Sequence, residues 1–279
     1  MMMQNLFTYS KLELYNLANR NPSALKKYNL RYMDNNLPAY FLSDAHLGAN
    51  PPGAVTDREA RLIAKLREWR GKCSTLVIVG DLFEFWYEYR HYVNRDHFPL
   101  YRALGDLVDS GARVCYLCGN HDFALGSFFP TALGVEVHRE LVLELQDKRI
   151  FLMHGDGIPS SDWGYRFARR VIDLPLNRSL FRSIHPDVGM GLARFIGRGS
   201  RKLGEKREIV LQEYLDAARK RMRLHSCGVC IHGHHHLSGI WDVPEGEVIA
   251  TGQWLFSLEY VRMRDGDFEI INETPQKIS

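Results

Sequence analysis

The sequence predicts an α/β sandwich that carries a helical insertion. Three observations lead there. Up to residue 154, short continuous apolar runs alternate with amphipathic helical stretches, the pattern of a parallel sheet with crossover helices. Past residue 225 the chain changes to brief strands with glycine-bearing turns. Between them, about 162–224 reads as several helices interrupted at Pro175 and Pro186.

Residues 1–38 are rich in Asn, Tyr and Leu and read as an N-terminal extension, which leaves 39–279 as the folded domain. Tyr40-Phe41-Leu42 is a short buried strand. Thr56-Asp57-Arg58-Glu59 has the form of a capping box. Behind it Leu62, Ile63, Leu66 and Trp69 recur at helical spacing, which predicts a helix over 57–70. Leu76–Val79 is a β-branched apolar run and reads as a buried strand. A helix follows over 97–110, stopped by Gly111, and Arg113–Leu117 is the third strand. Leu141–Leu145 alternates, and Ile150–Met153 is again continuous and apolar. Late strands are expected at Val229–Ile231, Ile240–Val243, Val248–Ile249, Leu255–Val261 and Phe268–Ile271.

The chain has 279 residues, 45% hydrophobic and 25% charged, which excludes a disordered, collagenous or coiled-coil protein. No run approaches the 18 apolar residues of a membrane span. The first nine residues lack the basic-then-apolar order of a signal peptide, so a cytoplasmic protein is expected. Five cysteines, an odd number, fit a reducing compartment. The pairs Cys115/Cys118 and Cys227/Cys230 lie too far apart for a zinc ribbon and sit in apolar runs. They read as buried structural cysteines, not ligands.

Chemistry is concentrated where strands stop. The first ends in Ser43-Asp44-Ala45-His46 and the second in Gly80-Asp81. The third ends in Gly119-Asn120-His121-Asp122, and Ile150–Met153 ends in His154-Gly155-Asp156. Val229–Ile231 ends in His232-Gly233-His234-His235-His236. Open α/β sheets bind ligands just past the carboxyl ends of their strands. Carboxylate, imidazole and amide donors together suit Mn, Fe or Zn. Seven candidates (Asp44, His46, Asp81, Asn120, His154, His234 and His236) suffice for two metals if one carboxylate bridges. Two such ions about 3.5–4 Å apart are a standard device for displacement at phosphorus.

Taken together, these blocks resemble those of the calcineurin-like metallophosphoesterases, over about 40–260. The resemblance implies a four-layer αββα sandwich with the insertion between the fourth and fifth blocks. It implies a dinuclear site, with Asp44, His46, Asp81 and His236 on one metal and Asp81, Asn120, His154 and His234 on the other. It further implies that His121 protonates the leaving group or stabilises the transition state, with Asp122 orienting it. Manganese is the first expectation for the metals, with iron or zinc as alternatives. Gly80-Asp81-Leu82-Phe83-Glu84 with Trp86, Ser161-Asp162 with Tyr165, and Thr251-Gly252-Gln253-Trp254 are similar to stretches of the UDP-2,3-diacylglucosamine diphosphatases of lipid A synthesis. By that resemblance Asp162, Tyr165 and Ser200 touch an acylated sugar-nucleotide substrate. Two departures stand out: His121 follows Asn120 where that branch commonly has Arg, and block five ends in Gly-His-His-His-Leu.

Net charge is +3, which by itself points to no partner. The charge is unevenly spread, however. Arg166–Arg223 holds 15 Lys and Arg against 6 Asp and Glu, net +9, which leaves −6 on the other residues. Its basic groups are interleaved with Phe167, Leu174, Leu180, Phe181 and Phe195. That composition suits an anionic lipid substrate and a membrane surface, which the resemblance implies is the cytoplasmic face of the inner membrane. An insertion packed on the core with solvated arginines fits the same numbers. Nucleic acid, which would call for exposed stacking aromatics, is not expected. Three functions therefore stand: a hydrolase of UDP-2,3-diacylglucosamine; the same metal site acting on another phosphodiester, as a nuclease or a cyclic-nucleotide or dinucleotide hydrolase; and a binding module on the same scaffold.

Overall fold

A computed structural model describes residues 37–159, 163–172, 174, 180–181, 183–185, 188–189, 191 and 211–274. Its strands are β1 (Ala39–Leu42), β2 (Thr75–Ile78), β3 (Arg113–Leu117), β4 (Glu136–His138), β5 (Glu140–Leu145), β6 (Lys148–Met153), β7 (Val229–His232), β8 (Ser238–Val243), β9 (Gly246–Thr251), β10 (Glu259–Arg264) and β11 (Asp267–Asn272). The helices are α1 (Arg58–Trp69), α2 (Phe98–Asp109), α3 (Trp163–Ile172), α4 (Leu211–His225) and the single turn α5 (Trp254–Ser257).

One sheet has the order β11-β10-β1-β2-β3-β4 and the other β5-β6-β7-β9-β8. β1, β2, β3 and β4 pair in parallel, as do β6, β7 and β9. The strand period of two divides the apolar residues into layers. Phe41, Val77, Cys115 and Leu117 point inward and meet Leu143, Ile150, Leu152, Val229 and Ile231 of the second sheet. Their neighbours Tyr40, Leu42, Leu76, Ile78, Val114 and Tyr116 point outward, against Leu62, Leu66 and Trp69 of α1 and Leu100, Leu104 and Leu107 of α2. Tyr40 stacks on Trp69 with ring centroids 4.0 Å apart. On the far side Phe151, Met153, Cys230 and Val248 meet Ala218 and Met222 of α4. Helix, sheet, sheet and helix therefore form four layers. All five cysteines are free thiols, and four of them are buried.

Three local expectations are corrected. The capping box does not form: no side chain caps α1. Glu59 turns instead to His97 Nδ1, 2.9 Å away, and Asp57 pairs with Arg61 one turn on. Leu255–Val261 is not one strand. It divides into α5 and β10 at Leu258, whose φ is +47. Tertiary contacts impose that break: Trp254 N donates to Ser43 O, Leu255 N to Asp44 O, and the Trp254 indole to Arg58 O. The sequence also missed β4, a three-residue strand at the sheet edge.

Of the helical insertion expected over about 162–224, α3 and α4 are described, and most of the segment between them lies outside the described residues. The same holds for residues 1–36. Among the described residues no helix is long and apolar enough to cross a membrane.

Candidate metal centre

The carboxyl ends of β1, β2 and β3 are neighbours in one sheet, and those of β6 and β7 are neighbours in the other. Each strand delivers one or two polar side chains within four residues of its end. Asp44, His46, Asp81, His234 and His236 all have positive φ, between +42 and +74. Such backbone is costly for residues with a Cβ and gathers at functional sites. Two glycines make the turns fit. Gly80 (φ +89) leaves no room for a Cβ beside the His154 ring, and a Cβ on Gly119 would overlap the Asp81 carboxylate.

Each carboxylate is held by one oxygen and offers the other. Asp44 Oδ2 accepts from the Ser43 hydroxyl and from His234 N (3.0 Å). Its Oδ1 faces His236 Nε2 at 3.4 Å and His46 Nε2 at 3.8 Å. Asp81 Oδ1 accepts from His121 N (2.9 Å). Its Oδ2 lies 3.4 Å from His154 Nε2 and 3.8 Å from His46 Nε2, so it faces both groups of donors. His154 Nδ1 donates to Val79 O (2.7 Å), which aims the Nε2 lone pair into the site. Asn120 Oδ1 lies 2.8 Å from His234 Nδ1 and 3.1 Å from His154 Nε2.

Ligand atoms of Asp44, His46 and His236 lie within 4.8 Å of one another, and so do those of Asp81, His154 and His234. Lone pairs facing lone pairs need a cation or extra protons between them. Asp44 Oδ1 and His46 Nε2 are buried with no hydrogen-bond partner. The donor set therefore fits divalent ions. Without metal, protons take the ions' place. Burial raises the Asp44 carboxyl, but the His236 and His46 imidazoles outweigh it and hold the group well below the usual carboxylate range. Burial lowers His46, but Asp44 and Glu84 carry it up to about 10. Metal uptake must release these protons.

One expected contact at the site does not form. Asp122 does not orient His121. Its carboxylate accepts from Gly119 N (2.7 Å), Leu82 N (2.8 Å), Asp81 N (3.2 Å) and the Tyr116 hydroxyl, tying the β2 and β3 loops together. His121 Nδ1 donates instead to the backbone oxygen of Glu84 (2.8 Å). Sequence reasoning missed Glu84. It is 7% exposed, and its carboxylate stands 3.3 Å from His46 Nδ1. One residue thus orients His46 through its side chain and His121 through its backbone. The available signal was a carboxylate three residues past Asp81, in the same turn. Carboxylates behind ligating histidines commonly contribute 10–100-fold to metal affinity. Glu84→Gln is expected to weaken metal binding by roughly that factor, read by metal titration with a chelating dye.

Tyr165 lies in α3, while Asp162 and Ser200 fall outside the described residues. His232 and His235, behind the centre, are buried around Tyr214, with ring centroids 5.6 and 4.5 Å from it. Burial pushes His232 down to about 4 and His235 to about 3. Both folded values lie below the ordinary value of about 6.5, so the unfolded chain binds more protons in that window. The chelated protein should therefore lose stability as pH falls from about 6.5 to 4. His232→Gln should flatten that loss by up to roughly 3 kcal/mol, measured by urea denaturation across pH.

Comparison with known proteins separates fold from family. No family model matches the chain. A UDP-2,3-diacylglucosamine hydrolase of Porphyromonas gingivalis is 32% identical over 237 residues, covering 77% of this chain and 90% of that protein. The chain belongs to the UDP-2,3-diacylglucosamine hydrolase family. A member from Escherichia coli O7:K1 is 29% identical over 83% of the chain and 97% of its own length. Another from Aeromonas salmonicida is 30% identical over 77% and 85%. Among solved structures, zinc-bound Vps29 of Entamoeba histolytica aligns with a TM-score of 0.44 and 14% identity, covering 87% of this chain and 95% of that one. A likeness at that level carries no functional argument.

Proposed function

We propose that this chain is a metal-dependent hydrolase that cleaves UDP-2,3-diacylglucosamine to UMP and 2,3-diacylglucosamine 1-phosphate. One observation carries the reading: two clusters of mutually facing acceptors meet at the strand ends of a chain 32% identical to a protein of that name. Asp44, His46, Asp81 and His236 would hold one ion, and Asp81, Asn120, His154 and His234 the other, with the Asp81 carboxylate common to both sets. Manganese suits these mixed oxygen and nitrogen donors, with iron or zinc as alternatives. When bound, such ions supply hydroxide near neutral pH and offset the charge of the phosphoryl oxygens.

The chain's own groups do the rest. His121, with Nδ1–H committed to Glu84 O, holds a proton at Nε2 and passes it to the departing phosphate. Asp122 fixes the two loops that carry Asp81 and Asn120. Asp162, Tyr165 and Ser200 contact the acylated sugar nucleotide from the insertion over about 162–224, which the domain of 39–279 carries within it. The net charge of +9 on Arg166–Arg223, interleaved with apolar residues, supports a peripheral position on the cytoplasmic face of the inner membrane.

A substrate panel tests this reading. Divalent-metal-dependent release of UMP from the acylated sugar nucleotide is expected, with single-stranded DNA and cyclic dinucleotides left intact. Cleavage of either nucleic-acid substrate without UMP release from the sugar nucleotide would reassign the same centre to another phosphodiester.

A further inference from the structure

A cavity of about 260 Å³ opens beside the metal centre, lined among others by Asn50, Glu59, Glu84, Phe85, Asn94 and Asp96. It shares Glu84 with the His46–His121 corner. Its size is near the lower end of small-ligand sites, about 300 Å³ upward, which suits one ring with its sugar and excludes a lipid.

Charge narrows the occupant. Glu59, Glu84 and Asp96 place three carboxylates around the cavity. They outnumber the single arginine of the lining, Arg58, whose donors are spent on the carbonyls of Ala45, His46, Ala49 and Val55, while His97 Nδ1 hydrogen-bonds Glu59. A phosphate would be repelled, so the occupant is an uncharged group rich in hydrogen-bonding atoms. On the other side of Phe85 the surroundings are apolar. Phe181 lies 6.1 Å from the Phe85 ring and 4.5 Å from Tyr87, and Leu174 and Leu180 are more than half exposed. Acyl groups, and the sugar that bears them, belong on that side.

Building on the proposed substrate, we propose that this cavity takes its uridine. A uracil edge presents one N–H between two carbonyls and matches a side-chain amide such as Asn50 or Asn94. The ribose 2′,3′-diol presents two O–H donors and matches a carboxylate such as Asp96 or Glu59. The pyrophosphate then lies across the metal centre, between nucleoside and acylated sugar.

Photolabelling of the metal-loaded wild-type protein with 5-azido-UMP, followed by peptide mapping, tests the placement. Label on the peptides carrying Asn50–Glu59 or Asn94–His97, displaced by UMP, is expected. In parallel, the Asn50→Ala/Asp96→Ala double variant, altered at two exposed positions, is assayed on two substrates. Its kcat/KM on UDP-2,3-diacylglucosamine should fall by about tenfold or more relative to that on bis(p-nitrophenyl) phosphate. Label confined to Trp163–Gly191, or an unchanged ratio, overturns the uridine site while UMP release by the wild type still upholds the substrate. Absence of UMP release by the wild type overturns the substrate, and the uridine site with it.

Discussion

Replacing Asp81 with Asn is expected to lower turnover by at least about 10³-fold, some 4 kcal/mol of barrier. The substitution is chosen to isolate charge. Asn tolerates the left-handed backbone that Asp81 adopts at φ +53, and its oxygen can still accept from His121 N. What disappears is the negative charge on Oδ2, the oxygen facing His154 at 3.4 Å and His46 at 3.8 Å. A carboxylate serving both clusters has no substitute among the neighbours: Asp44 Oδ1 faces only its own cluster, and Asp122 is committed to backbone amides and Tyr116. Steady-state assays with the metal content measured on the same sample check this. Full turnover with full metal would show that Asp81 bridges nothing.

The largest stability effect is expected at Arg58. This guanidinium is 3% exposed and donates to Ala45 O (2.9 Å), Val55 O (3.0 Å), His46 O (2.8 Å) and Ala49 O. It clamps the loop that carries His46 from the first turn of α1. Arg58→Met keeps the apolar stem but leaves buried carbonyls unpaired, at about 1–3 kcal/mol each before relaxation. A net loss on the order of 3–5 kcal/mol is expected, read from the urea midpoint. Metal affinity should fall with it, because the His46 carbonyl is one of the four anchors. A loss below about 1 kcal/mol would show that the loop holds itself.

Much of this was legible because strand periodicity and strand-end chemistry are local. Leu76–Val79 followed by Gly80-Asp81 announces a buried strand and a polar group at its end without reference to any partner. The seven candidate donors come together because β1, β2 and β3 are neighbours and β6 and β7 are neighbours, and that adjacency is not local. The errors have the same cause. Leu255–Val261 has strand composition, but Ser43, Asp44 and Arg58, some 200 residues away, bend it into α5. Glu59 has capping-box spacing, but His97 claims it. Asp122 follows His121 in sequence, yet its carboxylate turns to amides of two loops, and Glu84 from the β2 loop takes over His121. Sequence adjacency suggested a dyad that the loop geometry does not make.

The central claim is that five strand ends build one centre for two ions, and metal stoichiometry tests it most directly. Purified protein, stripped by chelation and titrated with Mn²⁺ under equilibrium dialysis, should saturate at two ions per chain. His236→Ala, which thins the Asp44 cluster alone, should reduce that to about one tight ion, while Asp81→Asn weakens both. Saturation of the wild type at a single ion, or two tight ions retained in Asp81→Asn, would contradict a shared dinuclear centre.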